Sequence, residues 1–235
     1  MDFARVSQAL WGTGLMVRGG FHPGPDDMIP ETPAPAGSLI IIGNAGEAMW
    51  KAFSAGPEYT KGAAGDHPLN AWTERVLGQV ARDLGVGVVY PFGGPPYYPF
   101  QRWAQKADTV FASPIGPLIH PVYGLWHAYR GALLIPERVA IPSQQAVEHP
   151  CESCPDKPCL TTCPVSAFTE QGYDVPHCVG YLESADGGDC IDQGCRARRA
   201  CPVGTRYHYA SAQAAFHQQH FVKANRQTTD REPGF

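Results

Sequence analysis

The sequence predicts an α+β protein in two parts, a mixed α/β domain over residues 1–145 and a smaller cysteine-bearing module over residues 146–235. Three observations predict it. Strand-like runs of β-branched residues alternate with helix-period segments through the first part. All eight cysteines fall between positions 151 and 201. Pro136, Pro142 and Pro150 punctuate the stretch between, as a linker does.

The elements of the first part follow from side-chain spacing. Phe3, Val6 and Leu10 share one face of a short helix over residues 2–11. Leu15, Met16 and Val17 suit a strand, and the Gly, Pro and Asp of residues 19–37 a long loop. Residues 38–43 hold consecutive aliphatic and β-branched side chains, which need cover on both faces of a sheet. Gly43, Asn44, Ala45 and Gly46 then read as a turn into a helix carrying Met49, Trp50 and Phe53. Residues 54–68 read as a second Gly-rich loop. Pro68 opens a helix with Leu69, Trp72, Val76, Val80 and Leu84 on its inner face, ending at Gly85. Residues 86–90 form a second buried strand. Residues 91–100 carry four prolines and four aromatics, which neither a helix nor an ordinary strand accepts; such a loop either caps the core or lines the pocket of a flat ligand. A helix follows to Ala107 with Phe100 and Trp103 facing inward, and a strand over residues 133–135. In the second part, residues 206–224 form a C-terminal helix with Tyr209, Ala212, Phe216 and His220 on one face. The last eleven residues are polar and expected to be mobile.

Composition narrows the function classes. A hydrophobic fraction of 43% is ordinary for a folded domain, and a formal charge of −4 offers nucleic acid no basic face. No apolar run reaches the ~18 residues of a membrane span. The opening residues lack a basic segment followed by an apolar one, so no secretory leader is expected. Reduced cysteines of this kind imply a cytoplasmic protein.

The cysteines carry the chemistry. Cys151, Cys154, Cys159 and Cys163 read C-x2-C-x4-C-x3-C, and Cys190, Cys195 and Cys201 read C-x4-C-x5-C, with Cys178 between the runs. Both runs close on Cys-Pro, at Pro164 and Pro202. This resembles the bacterial-type ferredoxin pattern, in which the last cysteine of each run ligates the other cluster. Eight thiolates suffice for two [4Fe–4S] clusters. Two zinc sites or four disulfides would also use eight cysteines, but zinc knuckles do not predict the doubled Cys-Pro, and a disulfide framework suits a short secreted chain. Arg196, Arg198, Arg199 and Arg206 surround the closing run. There they would stabilise reduced clusters, dock an acidic electron donor, or simply be solvated.

The likeness extends beyond spacing. Cys178-Val179-Gly180-Tyr181-Leu182, together with Gly194-Cys195 and Cys201-Pro202, resembles the corresponding segments of the epoxyqueuosine reductases and the related corrinoid reductive dehalogenases. That resemblance implies one cluster on Cys151, Cys154, Cys159 and Cys201, and the other on Cys163, Cys178, Cys190 and Cys195. The first part is similar to the cobalamin-processing chaperone of animals, chiefly through His120-Pro121-Val122-Tyr123-Gly124-Leu125-Trp126 and Arg130-Gly131 with the aliphatic strand after them. The implied architecture is a nitroreductase-related, cobalamin-chaperone-like α/β sandwich followed by a 2[4Fe–4S] ferredoxin-like module. The implied cofactor of the first part is cobalamin, with FMN as the lesser alternative. Its expected walls are Phe92, Tyr97, Tyr98, His120, Tyr123, Trp126 and Arg130, with Tyr123 or Tyr129 as candidate proton donors. The implied partners are a one-electron donor such as ferredoxin or flavodoxin and a small-molecule substrate, with neither nucleic acid nor membrane. The reductases carry an acid where this chain reads Val110-Phe111-Ala112-Ser113-Pro114, and their C-terminal extension is not found here, so queuosine synthesis is not expected. The functional expectation is an oxidoreductase passing single electrons through two clusters to a corrinoid. The alternatives are a non-enzymatic electron carrier, a cobalamin-handling protein, or a relative that has lost its cofactor.

Overall fold

Ile40, Ile41 and Ile42 are wholly buried, as consecutive β-branched residues require, because their strand lies inside a sheet with a neighbour on each edge. The computed structural model describes residues 1–31, 34–60, 65–144 and 146–229, the last three by backbone alone. In chain order the elements are α1 (Phe3–Ala9), β1 (Met16–Phe21), β2 (Ser38–Ala45), α2 (Ala48–Ser54), α3 (Pro57–Thr60), α4 (Pro68–Leu84), β3 (Gly87–Val89), α5 (Phe100–Ala107), β4 (Phe111–Ala112), β5 (Leu118–Ile119) and β6 (His127–Ile135). There follow α6 (Pro158–Thr161), β7 (Phe168–Thr169), β8 (Gly172–Tyr173), α7 (Val175–Glu183), α8 (Gly188–Gln193), α9 (Arg196–Arg199) and α10 (Ser211–Thr229).

The chain divides into two compact units, Met1–Val110 with His127–Val147, and Phe111–Trp126 with Glu148–Phe235. The chain passes from one unit to the other at Val110/Phe111, Trp126/His127 and Val147/Glu148, against the single change expected at 145/146; Gln145 itself is outside the described residues. The excursion Phe111–Trp126, however, leaves the first part of the chain to join the cysteines. Hydrophobic patterning in sequence order could not anticipate that exchange.

The first unit is built on an antiparallel sheet of order β1-β2-β6-β3. Helix α4 starts on Pro68 and stops at Gly85, whose left-handed φ of 68° lets its N–H reach back to the carbonyls of Ala81 and Arg82. Leu69, Trp72, Leu77 and Val80 form its buried stripe, with Leu77 in place of the expected Val76. Several expectations are corrected. Residues 19–21 belong to β1, since Gly19 and Gly20 let the strand pass close to its neighbours. The turn expected at residues 43–46 is strand as far as Ala45. The loop at residues 54–68 contains α3, and residues 61–64 lie outside the described ones. The strand over residues 86–90 is a half-buried edge strand, because it pairs with β6 alone.

In the second unit, β4 pairs with β5 and β7 with β8, and short helices carry the remaining chain. The C-terminal helix begins at Ser211, not at Arg206, because Gly204 at φ 74° and a 3-10 turn over Thr205–Tyr207 precede it. Its buried positions are Gln213, Ala214 and Val222, whereas Ala212 of the expected face is exposed. The helix runs on to Thr229, through residues expected to be mobile; residues 230–235 lie outside the described ones. Among the described residues, no helix is long and apolar enough to cross a membrane.

Candidate metal centre

Short helices and turns of the second unit place the eight cysteines, and a cysteine-proline step closes each run because proline cannot continue a helix. Cys151 follows Pro150 in a turn, where its N–H donates to His149 Nδ1 at 3.1 Å. Cys159 rides on α6, which opens with Pro158 at its first turn. Cys163 accepts the Ala167 N–H at its sulfur at 3.4 Å. Cys178 and Cys190 sit on α7 and α8, and Cys195 caps the start of α9. All eight are free thiols, with Cys159, Cys190 and Cys201 buried and the others half-buried.

The thiols sort into two sets by the charges they feel. Burial pushes Cys151 up to about 11, and charge on Cys201, Cys159 and Cys154 pushes the same way. Burial also raises Cys159, helped by Cys201 and Cys154. Burial raises Cys201 against a lowering hydrogen bond from the Val203 backbone, with Cys154 adding to the rise. In the other set, burial raises Cys178 against a lowering hydrogen bond from Tyr173, while Cys163 and Cys190 add to the rise. Burial raises Cys195 against the backbone N–H groups of Arg198 and Ala197, and Cys190 and Cys178 again add. Each of these cysteine pairings lies within Cys151/Cys154/Cys159/Cys201 or within Cys163/Cys178/Cys190/Cys195. Among the described residues, no group of three or more His, Cys, Asp or Glu side chains is arranged to hold a metal ion.

A cavity of about 20 Å³ is lined by Cys151, Cys154, Cys159 and Cys201 together with Pro114 and Ile119. Ile115, Ile119 and Leu125 pack in one cluster with Cys159, Ala197 and Cys201. The excursion Phe111–Trp126 thus supplies the apolar wall of the first set. Its turn is pressed against the chain beyond Cys201: a Cβ on Gly124 would stand 1.9 Å from the Val203 carbonyl oxygen, and one on Gly204 would stand 2.3 Å from the Tyr123 carbonyl carbon.

The four arginines around the closing run are largely engaged. Arg196 and Arg199 both bind the Asp189 carboxylate, the first at 2.6 Å, and these guanidinium groups hold that carboxyl below the usual range. Arg198 donates to the Leu125 carbonyl at 3.0 Å and 2.5 Å and lies over the rings of Trp126 and Tyr209 at 4.5 Å and 4.6 Å. Arg206 lies over Tyr207 at 4.8 Å.

The residues expected to wall a cofactor pocket divide between the units. In the second unit His120 Nδ1 accepts the backbone N–H groups of Val122 and Tyr123 at 3.0 Å and 3.2 Å, and its ring stacks on Tyr123 at 4.3 Å. Trp126 is 2% exposed and packed by His208 and Tyr209 as well as Arg198. In the first unit Arg130 grips α4 through Thr73 Oγ1, Asn70 Oδ1 and the Leu69 carbonyl and lies over Phe92 at 5.3 Å. Tyr98 stacks on Trp103 at 5.7 Å, and Tyr97 is 67% exposed.

Two features escaped sequence reasoning. Arg18, Asp108 and Tyr129 form a buried polar group in the first unit, with the Tyr129 hydroxyl donating to Asp108 Oδ2 at 2.9 Å. Burial pushes that phenol far above its ordinary range, with Asp108 adding to the rise and Arg18 opposing it, so Tyr129 is held neutral as a structural donor. Asp108 stands two residues before the segment searched for an acid, and Arg18, Tyr129 and the Thr109 N–H occupy its carboxylate. The second feature is Tyr173, whose ring stacks between Phe168 at 4.8 Å and Phe221 of α10 at 6.1 Å.

No family model matches the chain, and no curated protein matches its sequence. Among solved structures it is similar to the C. elegans B12-trafficking protein CblC, a human MMACHC homologue, with a TM-score of 0.53 at 16% identity over 92% of this chain and 89% of that one. A Bacillus subtilis epoxyqueuosine reductase aligns with a TM-score of 0.46 at 15% identity over 83% and 62% of the two chains. An epoxyqueuosine reductase solved with an epoxyqueuosine-modified tRNA stem loop aligns at 0.49 and 13% identity, over 88% and 66%. The chain thus spans less than two thirds of either reductase. The likeness to CblC shows a shared mixed α/β fold.

Proposed function

We propose that the chain is an iron–sulfur redox protein, with one [4Fe–4S] cluster on Cys151, Cys154, Cys159 and Cys201 and a second on Cys163, Cys178, Cys190 and Cys195. The observation that carries this reading is the cavity lined by Cys151, Cys154, Cys159 and Cys201, with Cys178 and Cys190 packed together in a separate apolar cluster. Each set mixes the two Cys-Pro runs, as crossed ligation requires. The donor set fits the group chemically: soft thiols, half-buried beside apolar side chains, which repel one another when ionised and are relieved by a cationic core. Bound clusters of this type supply one-electron transfer at a potential set by burial and hydrogen bonding.

The chain's own residues do the rest. Ile115, Ile119 and Leu125 keep water from the first set. The N–H groups of Ala197, Arg198 and Val203 favour the thiolate forms that ligation needs. The first unit is the place for the electron acceptor, and a corrinoid is the acceptor this reading names, with FMN second. Phe92, Tyr97, Tyr98 and Arg130, which all lie in the first unit, are its proposed contacts. The natural reductant is a one-electron donor such as ferredoxin or flavodoxin, and the end product a reduced small molecule. The fold shared with a B12-trafficking protein supports a second reading, cobalamin handling without turnover of a separate substrate.

Anaerobic purification with iron and acid-labile sulfide analysis tests the cluster claim. A brown protein whose visible absorption bleaches with dithionite is expected; a colourless, zinc-loaded protein overturns it. Titration with cobalamin and with FMN, followed by their spectra, tests the acceptor, and silence with both removes it.

A further inference from the structure

Helix α9 joins the two sets of thiols. Cys195 caps its start, and Cys201 follows its end after Ala200. The Arg199 N–H closes its single turn on the Cys195 carbonyl at 3.0 Å, and the Cys201 N–H reaches the Arg198 carbonyl at 3.3 Å. A helix of four residues does not hold itself, because fixing one turn gains too few hydrogen bonds for the freedom it loses. Side chains hold it, and they do so separately for the two sets. Toward the first set, Ala197 is wholly buried with Cys159 and Cys201, and Arg198 donates twice to the Leu125 carbonyl. Toward the second set stands one carboxylate. Arg196 Nε donates to Asp189 Oδ2 at 2.6 Å, and Arg199 Nη2 donates to the same oxygen. Arg199 Nε donates to the Gly194 carbonyl at 3.1 Å. Asp189 immediately precedes Cys190 on α8, and Gly194, at φ 85°, immediately precedes Cys195. The planar Arg199 fork therefore ties the residue before Cys190 to the residue before Cys195.

We propose that Asp189 is a positioning residue, which through Arg199 and Arg196 fixes Cys195 against Cys190 for the second cluster. This rests on the cluster reading above. Hydrogen bonds between a guanidinium and a carboxylate are directional as well as strong, and a rigid fork narrows the arrangements it accepts. The side chains of Asp189 and Arg196 are 36% and 39% exposed, so their ion pair adds little to the stability of the fold. What it supplies is placement. Groups outside the ligand shell orient the ligands, and their loss typically weakens metal binding about 10–100-fold. Ala197 and Arg198 hold the first set without Asp189, so the effect is confined to the second.

The test is iron release from the full chain, wild type and Asp189→Ala, loaded anaerobically and challenged with a ferrous chelator. Electron paramagnetic resonance of dithionite-reduced samples follows each cluster, with Cys151→Ser and Cys178→Ser identifying the two signals. Expected is loss of the second signal roughly tenfold faster in Asp189→Ala, with the first unchanged. Asp189→Glu, whose carboxylate can grip the same guanidinium groups, should restore the wild-type rate. Equal rates in wild type and Asp189→Ala overturn the positioning role and leave the cluster reading standing. So does equal acceleration of both signals, which marks general loosening. A wild-type chain that takes up no iron or sulfide overturns both. If Asp189→Ala takes up no clusters, Arg199→Lys decides. It keeps the charge, but a single ammonium cannot tie Asp189 and Gly194 as the fork does. The second signal should again be lost faster, and a wild-type rate overturns the role.

Discussion

Arg18 and Asp108 meet at 2.6 Å with side chains only 1% and 7% exposed, and a bulge brings them together. The β1–β2 register slips between Val17 and Gly19, which leaves Arg18 outside the regular ladder. Gly19, at φ 140°, passes so close to the end of α5 that a Cβ there would stand 1.7 Å from the Ala107 carbonyl oxygen. Asp108 is the next residue. Removing one partner strands the other charge inside, so Arg18→Ala or Asp108→Ala should each lower stability by about 3–5 kcal/mol. The double change Arg18→Met with Asp108→Leu should cost less than either. Urea unfolding of the three variants checks the order.

Gly124 and Gly204 should be intolerant of any side chain. Both have positive φ, and each faces the other's chain too closely for a Cβ. Gly124→Ala must move the Val203 backbone or lose the turn. A loss of at least ~2 kcal/mol is expected, above the ~1–2 kcal/mol of left-handed strain alone. Gly116→Ala is the control, because its φ is 99° but nothing lies within 4 Å of the added Cβ. Thermal unfolding should rank Gly124→Ala as the more damaging.

Crossed ligation predicts which cluster each closing cysteine serves. Cys163→Ser should disturb the same paramagnetic signal as Cys178→Ser, although Cys163 belongs to the first run in sequence. Cys201→Ser should disturb the signal affected by Cys151→Ser. Each should lower bound iron by up to half, and a Cys163 variant that tracks Cys151 instead would refute the crossing.

The chain freed of metal should weaken in alkali. Burial raises the folded thiols of Cys151, Cys159, Cys178, Cys195 and Cys201, in Cys151 from 9.0 to about 11. Through that window the unfolded chain has already lost its thiol protons while the folded chain keeps them, so stability falls as pH rises. Below pH 9 the contribution is complete. Denaturation midpoints of the metal-free chain between neutral pH and pH 11 should show the fall. The loaded protein should not, since its sulfurs carry iron in place of protons.

The buried strand through Ile40–Ile42, the stripe and caps of α4, and the doubled Cys-Pro were all legible in the sequence, because each is a local rule of side-chain type and spacing. The early start proposed for the C-terminal helix failed because a left-handed turn at Gly204, which lies against Tyr123 and Gly124 far away in the chain, and a 3-10 turn come first. The pocket set was drawn from two stretches, 92–98 and 120–130, and the units part it on both sides of Phe111–Trp126.

By itself the sequence determined the donor chemistry: eight thiols, two runs, and prolines that end each run, none of which needs a fold to be read. Tertiary structure alone decided that Phe111–Trp126 leaves its neighbours to wall the first set, that Asp108 is spent on Arg18, and that Tyr173 stacks on Phe221. The physical reason is that these relationships depend on which distant backbones approach within a few ångströms. Glycines without a Cβ, a strand bulge and stacked rings settle that, and none of them leaves a periodic mark in the chain.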